Sequence, residues 1–459
     1  MSRTIRVGNG AGFWGDNLDA PRLLTEAGRL DYLTLEYLAE LTLSILAHQK
    51  LRNPSAGFVA DFPVVLKSLI PCLKQQPQLR IVTNGGGMNP TACAQAVAAV
   101  LAEAGMDDVR VAAVAGDDIF PRLDELISSG EQLLHFDSGK SLGDLRSQIV
   151  SANVYLGAAG IVEALNQGAR IVVTGRVADA SLTVGPAVHE FGWGWDNWQG
   201  LAQASVAGHL IECGAQATGG LYSAWTPELA LANVGYPIAE IRDDGRTVIT
   251  KPAGTDGLVT PDTLAEQLIY EIGDPKHYLT PDADVDFSQI RFQQLGLDQV
   301  EMSGAAAGPP PETYKVSMAY RDGYMASGTL VIYGPDAAAR AKTCGEMILL
   351  RVRRAGFQLA RTNIECLGAG HVQPGITPID DASPEVVLRV TIHDPVREAA
   401  ERFTREFSPL VGSGLPGVTG YTGPRAKPWP VLAYWPTTIH RDRVQSVVNV
   451  HSAKEWVQS

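Results

Sequence analysis

The chain has no long apolar run. None of its segments reaches the roughly 20 residues that an apolar helix needs to cross a bilayer. The N-terminal MSRTIRVGNG lacks the continuous apolar core of a secretory signal. Basic charge is also scarce: Lys and Arg number 37 against 50 Asp and Glu, a net charge of −13. That balance argues against non-specific binding to nucleic acid or to an anionic membrane, while an anionic small molecule, which meets only local charge, stays open. Cysteine is sparse, with five widely spaced residues (Cys72, Cys93, Cys213, Cys344, Cys366) and no C-x-x-C pair. Neither a disulfide framework nor a cysteine zinc site is expected, and a reducing cytoplasm is the expected location. The nine histidines form no H-x-x-x-H pair, which leaves a helical zinc site without support.

What is present is an ordinary globular balance, 45% hydrophobic and 19% charged over 459 residues, enough for a large core and two domains. The organising stretch is LRIVTNGGGMNPTACAQ (Leu79–Gln95). A buried strand, Leu79–Thr83, runs through Asn84 and three glycines into a helix with Asn89 as N-cap and Pro90 at its first position. Such a turn either aims free N–H groups at a phosphate, carboxylate or oxyanion, or needs glycine only for backbone freedom. It is neither G-x-G-x-x-G nor a P-loop.

Other short apolar runs read as strands: Thr4–Gly8, Tyr32–Leu35, Val109–Val114 and Arg170–Thr174. Between them lie helical patterns at Ala20–Ala27, Glu36–Leu46 (with Glu36 and Glu40 on one face), Phe62–Gln75, Thr91–Ala104, Phe120–Ser128 and Asp144–Gln167. This alternation predicts an α/β domain over residues 1–280, a largely parallel sheet with helices on both faces and glycine-rich strand-end loops. Helices Leu201–Ile211 and Pro261–Ile272 and a hairpin at Asp244-Gly245 complete it. Residues 281–459 read as a smaller α+β, mixed-sheet domain. It has a hairpin of Tyr314–Tyr320 and Met325–Tyr333 about Asp322-Gly323, a helix Asp336–Ala355, strands Thr362–Leu367 and Val386–Ile392, and a helix Pro395–Phe407. The Pro- and aromatic-rich tail Ser408–Pro436 reads as an ordered loop, followed by a strand Val444–Val450.

Parallel strand ends converge on one rim, so polar residues just past them are the site candidates. Asn9 and Asp16 follow the first strand, Glu36 the second, Asn84 the third with Gly85, Gly86, Gly87 and Asn89. Asp117 and Asp118 follow the fourth, and Arg176 and Asp179 the fifth. Arg176 is either a bidentate carboxylate clamp or the ion-pair partner of Asp179. Glu36 is a general acid or base if burial raises its pKa, or else a solvated glutamate. Asp117-Asp118 is either a divalent-cation site or a helix-start pair. In ECGAQATGG (Glu212–Gly220), Cys213 with His209 one turn earlier is either a nucleophilic couple or a small buried hydrophobe, and Gln216 is a further substrate contact. Lys251, before Pro252 in a glycine-rich loop, is either a phosphate contact or, the favoured reading, plain surface.

Seven segments in order, GNGAGFWGD, DYLTLEYLAE, IVTNGGGMNP, VTGRVADAS, HLIECGAQATGG, GYPIAEI and TKPAGTDGLVT, resemble the acyclic terpene utilisation (AtuA-like) family, over residues 4 to 450. The resemblance implies a role in breakdown of citronellol- or geraniol-type terpenes through branched CoA thioesters, and it carries no assigned catalytic residues. It implies an enzyme of hydratase or lyase type on a branched acid or its CoA ester, with CoA present as part of the substrate. Glu36 is then the base, Arg176 the clamp and Gly85–Gly87 the oxyanion or phosphate cradle, with Asp179 and Cys213 as further catalytic candidates. The alternatives are an acyl-CoA-binding or scaffolding subunit and a metal-dependent hydrolase or lyase. Longer relatives carry a small ferredoxin-like C-terminal module, so a homo-oligomer or a partner subunit supplying that module is expected.

Overall fold

The structure is a computed structural model that describes residues 3–420 and 424–458. In chain order its first eight strands are β1 (Thr4–Asn9), β2 (Tyr32–Leu35), β3 (Arg80–Thr83), β4 (Arg110–Ala115), β5 (Ile149–Val154), β6 (Ile171–Thr174), β7 (Ile238–Arg242) and β8 (Thr247–Thr250). The first nine α-helices are α1 (Ala20–Gly28), α2 (Glu40–Arg52), α3 (Asp61–Gln75), α4 (Pro90–Glu103), α5 (Leu123–Ser128), α6 (Ala159–Asn166), α7 (Ser181–Phe191), α8 (Trp198–Glu212) and α9 (Pro261–Ile269).

β1, β2, β3, β6 and β4 lie side by side in that order and are all parallel. The four residues of β2 and the four of β6 are all buried, the apolar run that a strand covered on both faces requires. Helices α1, α3 and α4 pack on one another, and α6, α7 and α8 form a second group; α1 and α7 both reach β1 and β2. Next to β1 the sheet continues antiparallel through β7, β8, Gln299–Ser303 and Arg291–Gly296, and Val447–Ser452 pairs antiparallel with β4. The expected largely parallel sheet is thus a parallel centre of five strands inside a ten-stranded mixed sheet. Register aligns the centre: Asn9 lies beside Thr34, Leu35 beside Thr83, Thr83 beside Val173, and Val114 beside Thr174. The carboxyl ends therefore share one rim.

Compactness divides the chain differently from the expected break at residue 280. The chain up to Ala319, together with the stretch from Tyr434 onward, forms one compact unit, and Tyr320–Ala433 forms the second. In the second unit, Arg361–Leu367 and Glu385–Asp394 pair antiparallel, and Glu385–Asp394 also pairs with Tyr324–Tyr333. Its core includes Leu330, Cys344, Ile348, Leu388, Val390, Phe403 and Phe407.

Four local expectations change. Glu36 is not helical; α2 starts at Glu40. Asp144–Gln167 is not one helix, because Ile149–Val154 (IVSANV) forms the buried strand β5 before α6 begins; its β-branched residues outweigh a helical spacing. The Asp322-Gly323 turn is absent. Thr313–Tyr333 is one strand, and Gly323 takes φ +74° while pressed on the Asp394 carbonyl. An Asp-Gly pair signals a turn only when no neighbouring strand offers ladder partners, and here the Glu385–Asp394 strand does. The tail Ser408–Pro436 includes the start of a strand, Trp429–His440; Tyr421–Gly423 within it lie outside the described residues.

One buried carboxylate organises two helix starts. Asp282 accepts the Ala158 N–H at 2.9 and 3.1 Å on its two oxygens and the Ser181 hydroxyl at 2.6 Å. Ala158 is the N-cap of α6 and has no cap from its own side chain; Ser181 is the first residue of α7. Asp282→Ala would leave that N–H and hydroxyl buried without acceptors. The expected cost is about 2–3 kcal/mol, measured as a lower urea midpoint at unchanged m-value.

Candidate active site at the carboxyl rim of the sheet

The rim candidates separate into groups that build the rim and groups that remain available. Asn9 is a buried clip: its Nδ2 donates to the carbonyls of Ala11, Ile211 and Glu212 at 3.0, 2.8 and 2.9 Å, and its Oδ1 accepts from Thr34 Oγ1 at 3.0 Å. Asp16 accepts from the Tyr236 hydroxyl at 2.5 Å and from the Gly12 and Asn17 N–H groups at 2.9 and 2.7 Å. Asn89 caps α4 as expected, accepting from Ala92 N. The glycine turn is closed on itself. The Gly85 N–H donates to Thr83 Oγ1, Gly87 N–H to the Asn84 carbonyl, Met88 N–H to Gly57, and Asn89 N–H to Gly86. A Cβ on Gly86 would stand 2.5 Å from the Thr174 carbonyl. These four N–H groups are thus bonded within the protein, and the lack of a Cβ at Gly86 lets the turn lie against the end of β6.

A different cluster stays at the rim. Glu36, at the end of β2, is buried. Its Oε1 accepts from Leu38 N at 2.7 Å and its Oε2 from Asn84 Nδ2, while Asn84 Oδ1 accepts from Tyr37 N. Arg176, at the end of β6, is only 1% exposed. Its Nη1 donates to the Leu38 carbonyl and its Nη2 to Asp179 Oδ1; its guanidinium carbon sits 4.2 Å from the centre of the Tyr155 ring. Its Nε has no partner among the described residues. Lys315 Nζ lies 4.5 Å from the same ring and 3.1 Å from Glu40 Oε1, which also accepts from the Tyr155 hydroxyl at 2.6 Å. Asp179 is the open member, with its side chain 34% exposed.

Burial pushes the Glu36 carboxyl well up, and the Asp179 charge adds to that; Arg176, Asn84 and the Leu38 N–H only partly oppose it. The net direction is upward, so Glu36 holds its proton more firmly than an exposed carboxyl does. Burial opposes the charge on Arg176, but Asp179, Tyr155, Glu36 and Glu40 outweigh it and hold the guanidinium protonated. Glu40 behaves in the opposite way to Glu36. Burial raises it, yet the Tyr155 hydroxyl, Lys315 and Arg176 bring it down to about 2.

Asp117 and Asp118 do not form a cation site. Burial pushes Asp117 up to about 6, and its Oδ2 accepts from Asn153 Nδ2 at 2.8 Å and Arg176 N at 2.9 Å. Asp118 lies 3.7 Å from Lys50 Nζ. No group of three or more metal-ligating side chains occurs among the described residues.

Cys213 and His209 do not form a couple. His209 Nδ1 contacts Glu212 Oε1 at 3.0 Å and its Nε2 contacts the carbonyls of Gln267 and Leu268. Burial and the neighbouring Glu212 push the Cys213 thiol up to about 12, which leaves little nucleophilic thiolate. Gln216 Oε1 is buried with no partner among the described residues. Lys251 is buried, not surface, with Nζ 2.8 Å from the Thr255 carbonyl and 3.1 Å from Asp298.

Sequence reasoning passed over Tyr155, Lys315, Glu212 and the role of Glu40, which lie on segments whose contacts to the rim are long-range. It also passed over two motif matches. Gly10–Gly15 (GAGFWG) spells G-x-G-x-x-G after β1, but the Gly12 N–H is taken by Asp16, a Cβ on Gly12 would meet the Cys213 backbone at 2.7 Å, and α1 starts only at Ala20. Gly139–Gly143 (GKSLG) spells G-x-S-x-G in an exposed loop without the strand a nucleophile elbow needs. A separate open groove of about 620 Å³ is lined by Glu131, Thr313, Thr438, Ile439, His440, Asp442 and Arg443. Its Arg443 is paired with Glu131 and its His440 with Asp442, and it contains none of the carboxyls that burial raises.

A parallel-centred sheet whose strand ends gather a buried carboxyl and an Arg–Asp pair defines an α/β protein with polar groups collected at its carboxyl rim. The sequence model described as "Acyclic terpene utilisation family protein AtuA" matches residues 5–450, and the chain belongs to that family. No curated protein and no solved structure matches it. No helix among the described residues is long and apolar enough to cross a membrane.

Asp117 and Glu212 are raised by burial, to about 6 and about 7. Each therefore favours the folded state at low pH. The contribution is full below about pH 4, where the unfolded carboxyls are already protonated, and is lost as pH rises through these folded values. The thermal midpoint is expected to climb as pH is lowered from about 7.5 to about 5, and Asp117→Asn and Glu212→Gln should each flatten that slope. Differential scanning fluorimetry across this range checks it; an equal slope in the variants contradicts it.

Proposed function

We propose that the rim is the active site of an enzyme acting on a branched carboxylic acid carried as its CoA thioester, by hydratase- or lyase-type proton transfer. The observation behind this reading is the buried Glu36 carboxyl, its pKa pushed up by burial, beside the Arg176–Asp179 pair. A carboxyl whose pKa is raised keeps its proton to higher pH, so the reading gives Glu36 the part of acid rather than base. It can protonate a leaving hydroxyl or a thioester oxygen that gains charge in the transition state.

Arg176 does not clamp a substrate carboxylate. Its Nη1 and Nη2 are occupied by Leu38 and Asp179, and Lys315 is paired with Glu40. Of the Arg176 nitrogens only Nε has no partner among the described residues, and a single donor suits a thioester carbonyl better than the two-point grip of a free carboxylate. Arg176 instead holds Asp179 and the 36–38 turn in place around Glu36. The family's association with acyclic terpene utilisation supports the branched character of the acyl group.

A second reading, an acyl-CoA-binding or scaffolding subunit, draws on α2, where Leu41, Ile45 and Leu51 are exposed. Thermal stabilisation by acyl-CoA without turnover would select it.

Branched enoyl- and 3-hydroxyacyl-CoA thioesters, followed by mass spectrometry for gain or loss of water, test the leading reading. Glu36→Gln should lower turnover by about 10²–10⁴-fold while keeping the thermal shift that the thioester gives. Wild-type turnover in this variant would remove Glu36 from the chemistry.

A further inference from the structure

We propose that Glu212 is the second proton-transfer group of the rim, the base that complements the Glu36 acid, with His209 as its positioning residue. This rests on the acid reading of Glu36. Glu212 ends α8, and Asn9 clips that end to the rim: Nδ2 holds the Ile211 and Glu212 carbonyls while Oδ1 holds Thr34, two residues before Glu36. The loop after β1 presses on the next residue, since a Cβ on Gly12 would stand 2.7 Å from the Cys213 carbonyl carbon.

His209 fixes the carboxyl. Its Nε2 lies 3.1 and 3.2 Å from two carbonyl oxygens, so this nitrogen carries a hydrogen, and its Nδ1 meets Glu212 Oε1 at 3.0 Å. The ring centre sits 5.5 Å from that of Tyr278 and 5.4 Å from that of Phe287. The other carboxyl oxygen, Glu212 Oε2, is buried with no partner among the described residues. A buried oxygen of this kind is left for a ligand or a transferred proton to satisfy.

The charged and titratable neighbours of Glu212 are His209 on its own helix, Asp179 after β6 and Glu271 after α9, with the Cys213 thiol and the Tyr278 hydroxyl close by. Asp179 acts on Glu36 as well, so it lies within electrostatic reach of both carboxyls. Burial raises Glu212 to about 7 against the pull of His209. The His209 ring favours the carboxylate form of Glu212, and the unpartnered Oε2 is the atom placed to accept a proton.

In a dehydration, the Glu212 carboxylate takes the α-proton of a 3-hydroxyacyl thioester. The C–H electron pair first moves onto the thioester carbonyl as an enolate; when the carbonyl re-forms, that pair becomes the C=C π bond and the C–O bond breaks as Glu36 gives its proton to the departing hydroxyl, which leaves as water. Glu212 ends protonated and Glu36 ionised. Solvent restores both, and hydration is the same sequence reversed.

The two carboxyls separate in 3-hydroxy-3-methylbutyryl-CoA incubated in D2O, with α-deuterium uptake and water loss followed by mass spectrometry. Wild type should do both. Glu36→Gln should keep α-exchange and lose water elimination, and Glu212→Gln should lose α-exchange by about 10²-fold or more. His209→Asn removes the imidazolium that favours the carboxylate, so the acidic limb of the exchange profile should move to higher pH. Exchange in Glu212→Gln at the wild-type rate overturns the base assignment alone, as does an unmoved limb in His209→Asn if Glu212→Gln fails to fold. A wild-type protein that neither exchanges nor dehydrates the thioester overturns the Glu36 reading together with this one.

Discussion

The buried guanidinium of Arg176 is the constraint around which the rim is built. A charge this deep is tolerated only when it is paired and its hydrogens are bonded. Arg176 meets that demand at all but its Nε by drawing on four segments: Leu38 after β2, Asp179 three residues on, the Tyr155 ring after β5, and through its backbone N–H the Asp117 carboxylate after β4. Each partner fixes the end of a different strand. Removing the guanidinium would strand Asp179 and release the turn that presents Glu36.

That pairing also sets the protonation pattern. Asp179 and Arg176 neutralise each other, and Glu40 is held ionised by Tyr155 and Lys315. Burial is the largest influence on both Glu36 and Glu212, the Asp179 charge adds to it, and both favour the neutral carboxyl. Carboxyls of the same chemical type thus take different states within one rim, the condition under which acid and base roles can divide. The family provides the setting of acyclic terpene utilisation; the assignment of roles comes from these local environments.

The glycines have a different purpose from the one their motifs suggest. Gly86 lies against the Thr174 carbonyl and Gly12 against the Cys213 backbone, and in both places a Cβ would collide. Close approach of strand-end loops is what they permit, and that closeness brings residues distant in sequence within hydrogen-bonding range. The cradle reading rested on composition, which is the same for a turn that holds a ligand and a turn that holds a neighbouring strand.

By itself the sequence determined the parallel strands, most of the flanking helices and the list of strand-end residues. Short apolar runs, helical periodicity, and an Asn-Pro helix start are local features that burial and backbone geometry translate directly, as at Tyr32–Leu35 and Pro90–Glu103. Glu36, Arg176 and Asp179 were visible on that basis because each stands just past a buried run. Tertiary structure decided which of those polar groups are spent and which remain. Asn9, Asp16 and the glycine turn are consumed by partners up to 220 residues away. Tyr155 and Lys315 enter only because the strand Thr313–Tyr333 passes beside β5. The direction of a carboxyl's pKa shift was likewise out of reach of the sequence, since it depends on burial and on charges that a one-dimensional spacing does not contain: Glu36 and Glu40, four residues apart, move in opposite directions.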